Sequence, residues 1–127
     1  MADNRNLATQ LTQKALPVPF NLRVPVTGGY KAQVRLLLPP NFDFGSQTKY
    51  PMLVYVYGGP KSQQISERYS VSWGTHLASS RGVIYALIDG RGSGYKGDKM
   101  LHEIYRRMGT VEIEDQIAVT KLVSIYL

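Results

Sequence analysis

Pro51-Met52-Leu53-Val54-Tyr55-Val56-Tyr57-Gly58-Gly59-Pro60 is the stretch that decides how this chain folds. Its six consecutive apolar or aromatic residues leave no polar face, which predicts a strand covered on both sides, as in a mostly parallel sheet with helices above and below. Gly58 and Gly59 free the backbone for sharp turning and close approach, and Pro60 has no N–H with which to continue a ladder. A covered strand that breaks into a loop at its carboxyl end marks the rim where open α/β sheets hold their ligands. Tyr57 stands at that rim, and two readings of it are open. One is an oxyanion loop, whose donors wait for charge that develops only in a transition state. The other is a packed aromatic whose hydroxyl has found a partner.

The same pattern recurs downstream. Val83-Ile84-Tyr85-Ala86-Leu87-Ile88 is a second fully apolar run, and it ends in Asp89-Gly90-Arg91-Gly92-Ser93-Gly94. Between the two runs, residues 70–80 form a candidate helix with Trp73 and Leu77 on one face, stopped by Arg81-Gly82. Strand, helix and strand in that order make a parallel βαβ unit with both glycine loops on one rim.

Upstream, Phe20, Leu22, Val24 and Val26 alternate with Asn21, Arg23 and Pro25, a half-buried strand that Pro25 places at a sheet edge. Gly28-Gly29 follows, then Ala32, Val34, Leu36 and Leu38 alternate in turn, so the two runs form a β-hairpin that Pro39-Pro40 stops. Residues 41–49 read as a polar loop. Residues 1–19, polar and closed by Pro17 and Pro19, read as a linker, and 20–127 as the folded domain. Downstream, residues 99–108 can form a short helix closed by Gly109. From Thr110 a longer helix begins, with Glu112, Glu114 and Asp115 at its amino end and Val119, Leu122, Val123 and Tyr126 on its buried face. It reaches Leu127 without a cap, which reads as a chain cut in mid-helix.

The 127 residues carry a net charge of +6 and no cysteine. Length and composition suit one soluble domain with a real core. The basic residues are scattered and never form a run longer than Arg106-Arg107, so nucleic-acid binding is not expected. The lack of cysteine excludes disulfides, thiolate nucleophiles and cysteine-held metals within these residues. No stretch reads as a signal peptide or a membrane span.

Gly92-Ser93-Gly94-Tyr95-Lys96-Gly97 matches the G-x-G-x-x-G dinucleotide fingerprint, with acidic residues about twenty positions on at Glu112 to Asp115. Asp98 argues against it, because it falls where a pyrophosphate wants a helix amino end. So does the complete βαβ unit that precedes the motif's expected place.

Several joined motifs resemble the dipeptidyl peptidase IV branch of the prolyl oligopeptidase family, serine peptidases with an α/β-hydrolase domain. They are residues 50–63 around Tyr57-Gly58-Gly59-Pro60, residues 89–99 from Asp89-Gly90-Arg91-Gly92-Ser93-Gly94, Arg106-Arg107-Met108-Gly109-Thr110, and Glu112-Ile113-Glu114-Asp115-Gln116-Ile117. Leu38-Pro39-Pro40-Asn41-Phe42-Asp43 resembles the family's strand end before its first buried strand. The resemblance implies the amino-terminal half of an α/β-hydrolase fold, incomplete: a hairpin, a parallel βαβ unit and helices.

For Tyr57 the resemblance implies the oxyanion-hole donor. Gly58, Gly59 and Pro60, with Asp89 and Arg91, would shape the loops, the last two as a hydrogen-bonded pair. No serine here has glycine two places away on each side, so the G-x-S-x-G elbow is absent. In the α/β-hydrolase order Ser, Asp and His would all follow Leu127. His76 and His102 then read as surface or packing residues, and Asp98 and Asp115 as loop and helix-end carboxylates.

The implied parent removes amino-terminal X-Pro or X-Ala dipeptides, needs no cofactor or metal, and sits at the cell surface or is secreted. Its partners are a peptide with proline or alanine second, the rest of the hydrolase domain, a β-propeller and a second protomer. These residues alone would be inactive. The alternative is a catalytically dead interaction module related to the family's channel-associated members.

Overall fold

The computed structural model describes residues 3–127. β1 (Val18–Val26) and β2 (Tyr30–Leu38) form the expected hairpin, antiparallel with Val24 opposite Ala32 and Phe20 opposite Leu36. The turn between them is possible because Gly28 and Gly29 take φ of 80° and 76°, a region that a β-carbon disfavours. β3 (Met52–Tyr55), α2 (Trp73–Arg81) and β4 (Ile84–Asp89) form the βαβ unit, with β3 and β4 parallel and Val54 beside Ala86. β4 also pairs antiparallel with β2, Val34 opposite Ile88, so the mixed sheet runs β1-β2-β4-β3. A one-turn helix α3 (Asp98–Leu101) and the long α4 (Val111–Tyr126) follow.

The alternation of the strands divides the sheet into two faces. On one, Val34 and Leu36 of β2 and Ile84, Ala86 and Ile88 of β4 pack with Val119 and Val123 of α4 to make the core. On the other lie Leu37, Tyr55, Tyr85 and Leu87, the last two from β4, partly roofed by α2. There Gly74 descends onto the ring of Tyr85: a β-carbon at Gly74 would stand 2.4 Å from two ring carbons. Burial at this contact pushes the Tyr85 phenol pKa up, with Tyr55 adding to it. The amino end of α2 is closed by Ser72 N–H donating to Thr75 Oγ1 at 3.1 Å, and Gly82 ends it with φ 64°.

Several expectations need correction. β3 is not covered on both sides: Met52 and Val54 meet the core, but Leu53 and Tyr55 are 40% and 50% exposed. Two apolar faces in the sequence are here one core face and one face opening on a groove. Along its outer side β3 has no strand neighbour among the described residues. The buried face of α2 is Gly74 and Ala78, not Trp73 and Leu77, because small residues let the helix backbone settle on the sheet. Trp73 turns outward, 67% exposed, against the His76 ring.

The packed stripe of α4 is Val111, Asp115, Gln116, Val119 and Val123, so Leu122 and Tyr126 face out. Counting only apolar positions rotated the stripe, since two of its members are polar. The helix expected over 99–108 is shorter. It runs through α3 and a 3-10 turn to Ile104 and breaks before Arg106, whose φ is 57°. Residues 5–12, inside the stretch read as a linker, form α1 (Arg5–Thr12), which buries none of its side chains.

The apolar outer edge of β3 invites another strand. The isolated 127 residues are therefore expected to associate through β3, and a single monomeric boundary in sedimentation velocity would contradict this. Gly74→Ala is expected to lower stability by about 1–3 kcal/mol, the range for an overpacked contact. Urea denaturation of the two proteins checks it.

Candidate active site

The carboxyl ends of β3 and β4 lie side by side, and the loops that leave them are stitched together by backbone. Lys61 N–H donates to Gly92 O and Gly94 N–H to Ser62 O, each at 2.9 Å. Ser62 N–H closes the first loop on Gly59 O at 3.1 Å. The approach is close enough that a β-carbon at Gly94 would stand 2.7 Å from the Lys61 carbonyl oxygen. Lys61 is held at φ 64°, a left-handed conformation that non-glycine residues resist and that surrounding contacts must impose.

Asp89, the last residue of β4, is 2% exposed, and its carboxylate accepts the N–H groups of Gln64 at 3.1 Å and Ile65 at 2.9 Å. The Gln64 side-chain amide reaches back to the carbonyls of Tyr57 at 3.4 Å and Tyr55 at 3.5 Å. Lys96 Nζ donates to the Asp89 carbonyl at 2.5 Å and to Ser93 Oγ at 3.3 Å. Burial lowers the Lys96 pKa, and the Asp89 charge partly offsets the effect.

Asp89 and Arg91 do not pair with each other, contrary to the sequence-based expectation. Arg91 instead reaches α4, where Asp115 accepts from its backbone N–H at 2.8 Å, from Nη2 at 2.7 Å and from Nε at 3.0 Å. Nη2 also donates to Val111 O at 3.2 Å, and it lies 3.4 Å from the exposed Glu114 carboxylate. The side chains of Arg91 and Asp115 are 4% and 1% exposed. The hydrogen bond to Asp115 raises the Arg91 pKa against the opposing pull of burial. Gly90 makes room for this contact, since a β-carbon there would stand 2.9 Å from Asp115 Cβ and Oδ2.

Tyr57 projects from the rim, 59% exposed, with its ring folded over Gly59: a β-carbon at Gly59 would lie 3.3 Å from the phenol oxygen. Among the described residues that hydroxyl has no hydrogen-bond partner. Gly58 faces Glu112 of α4 across 3.5 Å, measured to a β-carbon built on the glycine, and Pro60 is exposed. An open groove of about 950 Å³ runs from Tyr57 along the uncovered face, past Tyr55, Gln64, Trp73, Tyr85 and Leu87. The structure thus gathers Tyr57, Gly58, Gly59, Pro60, Asp89 and Arg91 around two joined loops. His76 and His102 are exposed and stand apart from them.

Gly92 and Gly94, the first two glycines of residues 92–97, serve packing rather than a dinucleotide. The space that a β-carbon at Gly92 would need is filled by Ile104, and that at Gly94 by the Lys61 carbonyl. The helix that follows has only four residues. Sequence reasoning missed Asp115, Gln64, Gly94 and Lys96. For Asp115 a signal existed: it lies four residues after Val111 and four before Val119, in the middle of a buried stripe.

Residues 69–124 match the model of the prolyl oligopeptidase family. The chain is 48% identical over 119 residues to the venom dipeptidyl peptidase 4 of Apis mellifera, covering 94% of this chain and 15% of the relative. It is 44% identical over 124 residues to dipeptidyl peptidase 4 of Sus scrofa, covering 98% of this chain and 16% of that one. The crystal structure of Porphyromonas gingivalis dipeptidyl peptidase 4 superposes with a TM-score of 0.85 at 31% identity, over 97% of this chain and 17% of its own. The fold is thus that of part of a dipeptidyl peptidase's α/β domain. The chain belongs to the prolyl oligopeptidase family of serine peptidases. It spans about a sixth of the length of the relatives it matches. Among the described residues no helix is long and apolar enough to cross a membrane.

Asp115→Asn leaves Arg91 as a buried cation without its counter-charge. A loss of about 3–5 kcal/mol is expected, the range for breaking a buried pair from one side. Urea denaturation measures it, and a loss below 1 kcal/mol would mean that the pair carries little.

Proposed function

We propose that this segment supplies the oxyanion-stabilising tyrosine of a serine-type dipeptidyl peptidase, which removes amino-terminal dipeptides with proline or alanine in second position. The observation that carries the reading is the Tyr57 hydroxyl, exposed at the rim and unpartnered among the described residues, on the loop that the resemblance assigns to that role. The serine, aspartate and histidine of the triad would come from sequence outside these 127 residues.

In that reaction the serine oxygen adds to the scissile carbonyl while a histidine takes its proton, and the carbonyl oxygen becomes an anion. Tyr57 donates its hydroxyl hydrogen to that anion. A phenol suits the task, because it stays neutral near pH 7 and still donates a strong hydrogen bond. Collapse of the intermediate expels the shortened peptide as an amine and leaves the dipeptide as a serine ester, which water then cleaves. The donor acts chiefly on the charged intermediate, so its effect belongs to kcat more than to KM.

In the longer peptidase that carries this segment, Tyr57→Phe is expected to lower kcat about 10²- to 10³-fold with KM little changed. Unchanged kcat on a Gly-Pro-chromogen would overturn the assignment. The 127 residues alone are expected to release no chromogen and to take no fluorophosphonate label. If the transcript beyond Leu127 encodes a replacement for the serine of the Gly-Trp-Ser-Tyr-Gly-Gly elbow, the interaction-module alternative gains instead.

A further inference from the structure

We infer that the β4 loop is a positioning device for Tyr57, with Gly94 and Asp89 as the positioning residues. This rests on the reading of Tyr57 as the oxyanion donor. Both are buried, and both act through the loop that carries the phenol.

Between Tyr57 and Ile65 the chain has no helix or strand to hold it, yet it is fastened at two places. The first is the backbone pair in which Lys61 donates to Gly92 and Gly94 donates to Ser62. The second is the Asp89 carboxylate on the amides of Gln64 and Ile65, from where the Gln64 side chain spans to the Tyr57 carbonyl. The left-handed Lys61 is itself a donor in the first of these. A loop held in an unfavourable conformation keeps it only while the contacts that impose it last.

At Gly94 the main chains of the two loops come close. With a β-carbon 2.7 Å from a backbone oxygen, a bulkier residue cannot be accommodated by turning a side chain, so main chain must shift at the contact that holds the Tyr57 loop. Displacements of about 1 Å at a reacting centre cost up to about 100-fold in rate.

The test is a double-mutant cycle in the longer peptidase, using Tyr57→Phe, Gly94→Ala and the two together. Gly94→Ala is expected to lower kcat about 10- to 100-fold with KM changed less than about threefold. In the Tyr57→Phe background it should lower kcat less than about threefold further, because a donor already removed cannot be misplaced.

If Gly94→Ala costs the same in both backgrounds, or nothing in either, the positioning role is overturned while Tyr57 keeps its own. If Tyr57→Phe alone leaves kcat unchanged, the reading of Tyr57 fails and the inference falls with it. Should Gly94→Ala fail to fold, Gln64→Ala runs the same cycle on a partly buried side chain outside the hydrophobic core. Additivity with Tyr57→Phe there overturns the role equally.

Discussion

The buried pair of Arg91 and Asp115 is the constraint on which the rest of the rim depends. Two charges withdrawn from water are costly unless each is matched and its remaining hydrogen-bonding groups are satisfied. Here the carboxylate takes up one backbone and two side-chain donors, and the guanidinium spends its remaining reach on Val111 O and Glu114. The geometry admits one relative placement of α4 and the β4 loop. That loop in turn grips the loop leaving β3, so the position of an exposed tyrosine is traceable to an ion pair on the far side of the glycine turn.

Small residues make these approaches possible. Gly90 admits Asp115, Gly94 admits the Lys61 carbonyl, Gly92 admits Ile104, and Gly74 lets α2 rest on Tyr85. At each, the glycine main chain comes nearer to its neighbour than a β-carbon would permit, the neighbour being a side chain in three cases and the Lys61 main chain at Gly94. The glycine-rich appearance of residues 90–94 therefore reflects contact within the fold and not a cradle for phosphate.

Much of this was legible beforehand, and the failures have a common cause. The hairpin, the βαβ unit and the shared rim follow from periodicity and turn residues, which are local properties. The faces of α2 and α4 were misjudged because apolar spacing assumes that buried positions are apolar. Asp115 and Gln116 are buried because they have partners, Arg91 and the Ile88 carbonyl, that lie more than twenty residues away. The expected Asp89–Arg91 pair does not form because each has a partner far away in sequence: Asp89 takes the amides of Gln64 and Ile65, and Arg91 takes the Asp115 carboxylate. The exposed face of β3 has the same origin: apolar composition records what a strand can bury, not what is present to cover it.

The backbone origin of the rim has a consequence for how such a site diversifies. Apart from those that the buried Asp89 carboxylate accepts, the hydrogen bonds between the two loops run from main chain to main chain, and the side chains of Lys61, Gln63 and Tyr95 all point to solvent, Tyr95 with 88% of its surface free. Within the residue types that a left-handed backbone tolerates at Lys61 and Tyr95, those three positions can be rewritten in charge or aromaticity without loosening the weave beneath them. A descendant could therefore acquire a new surface chemistry beside the phenol while inheriting its placement unaltered.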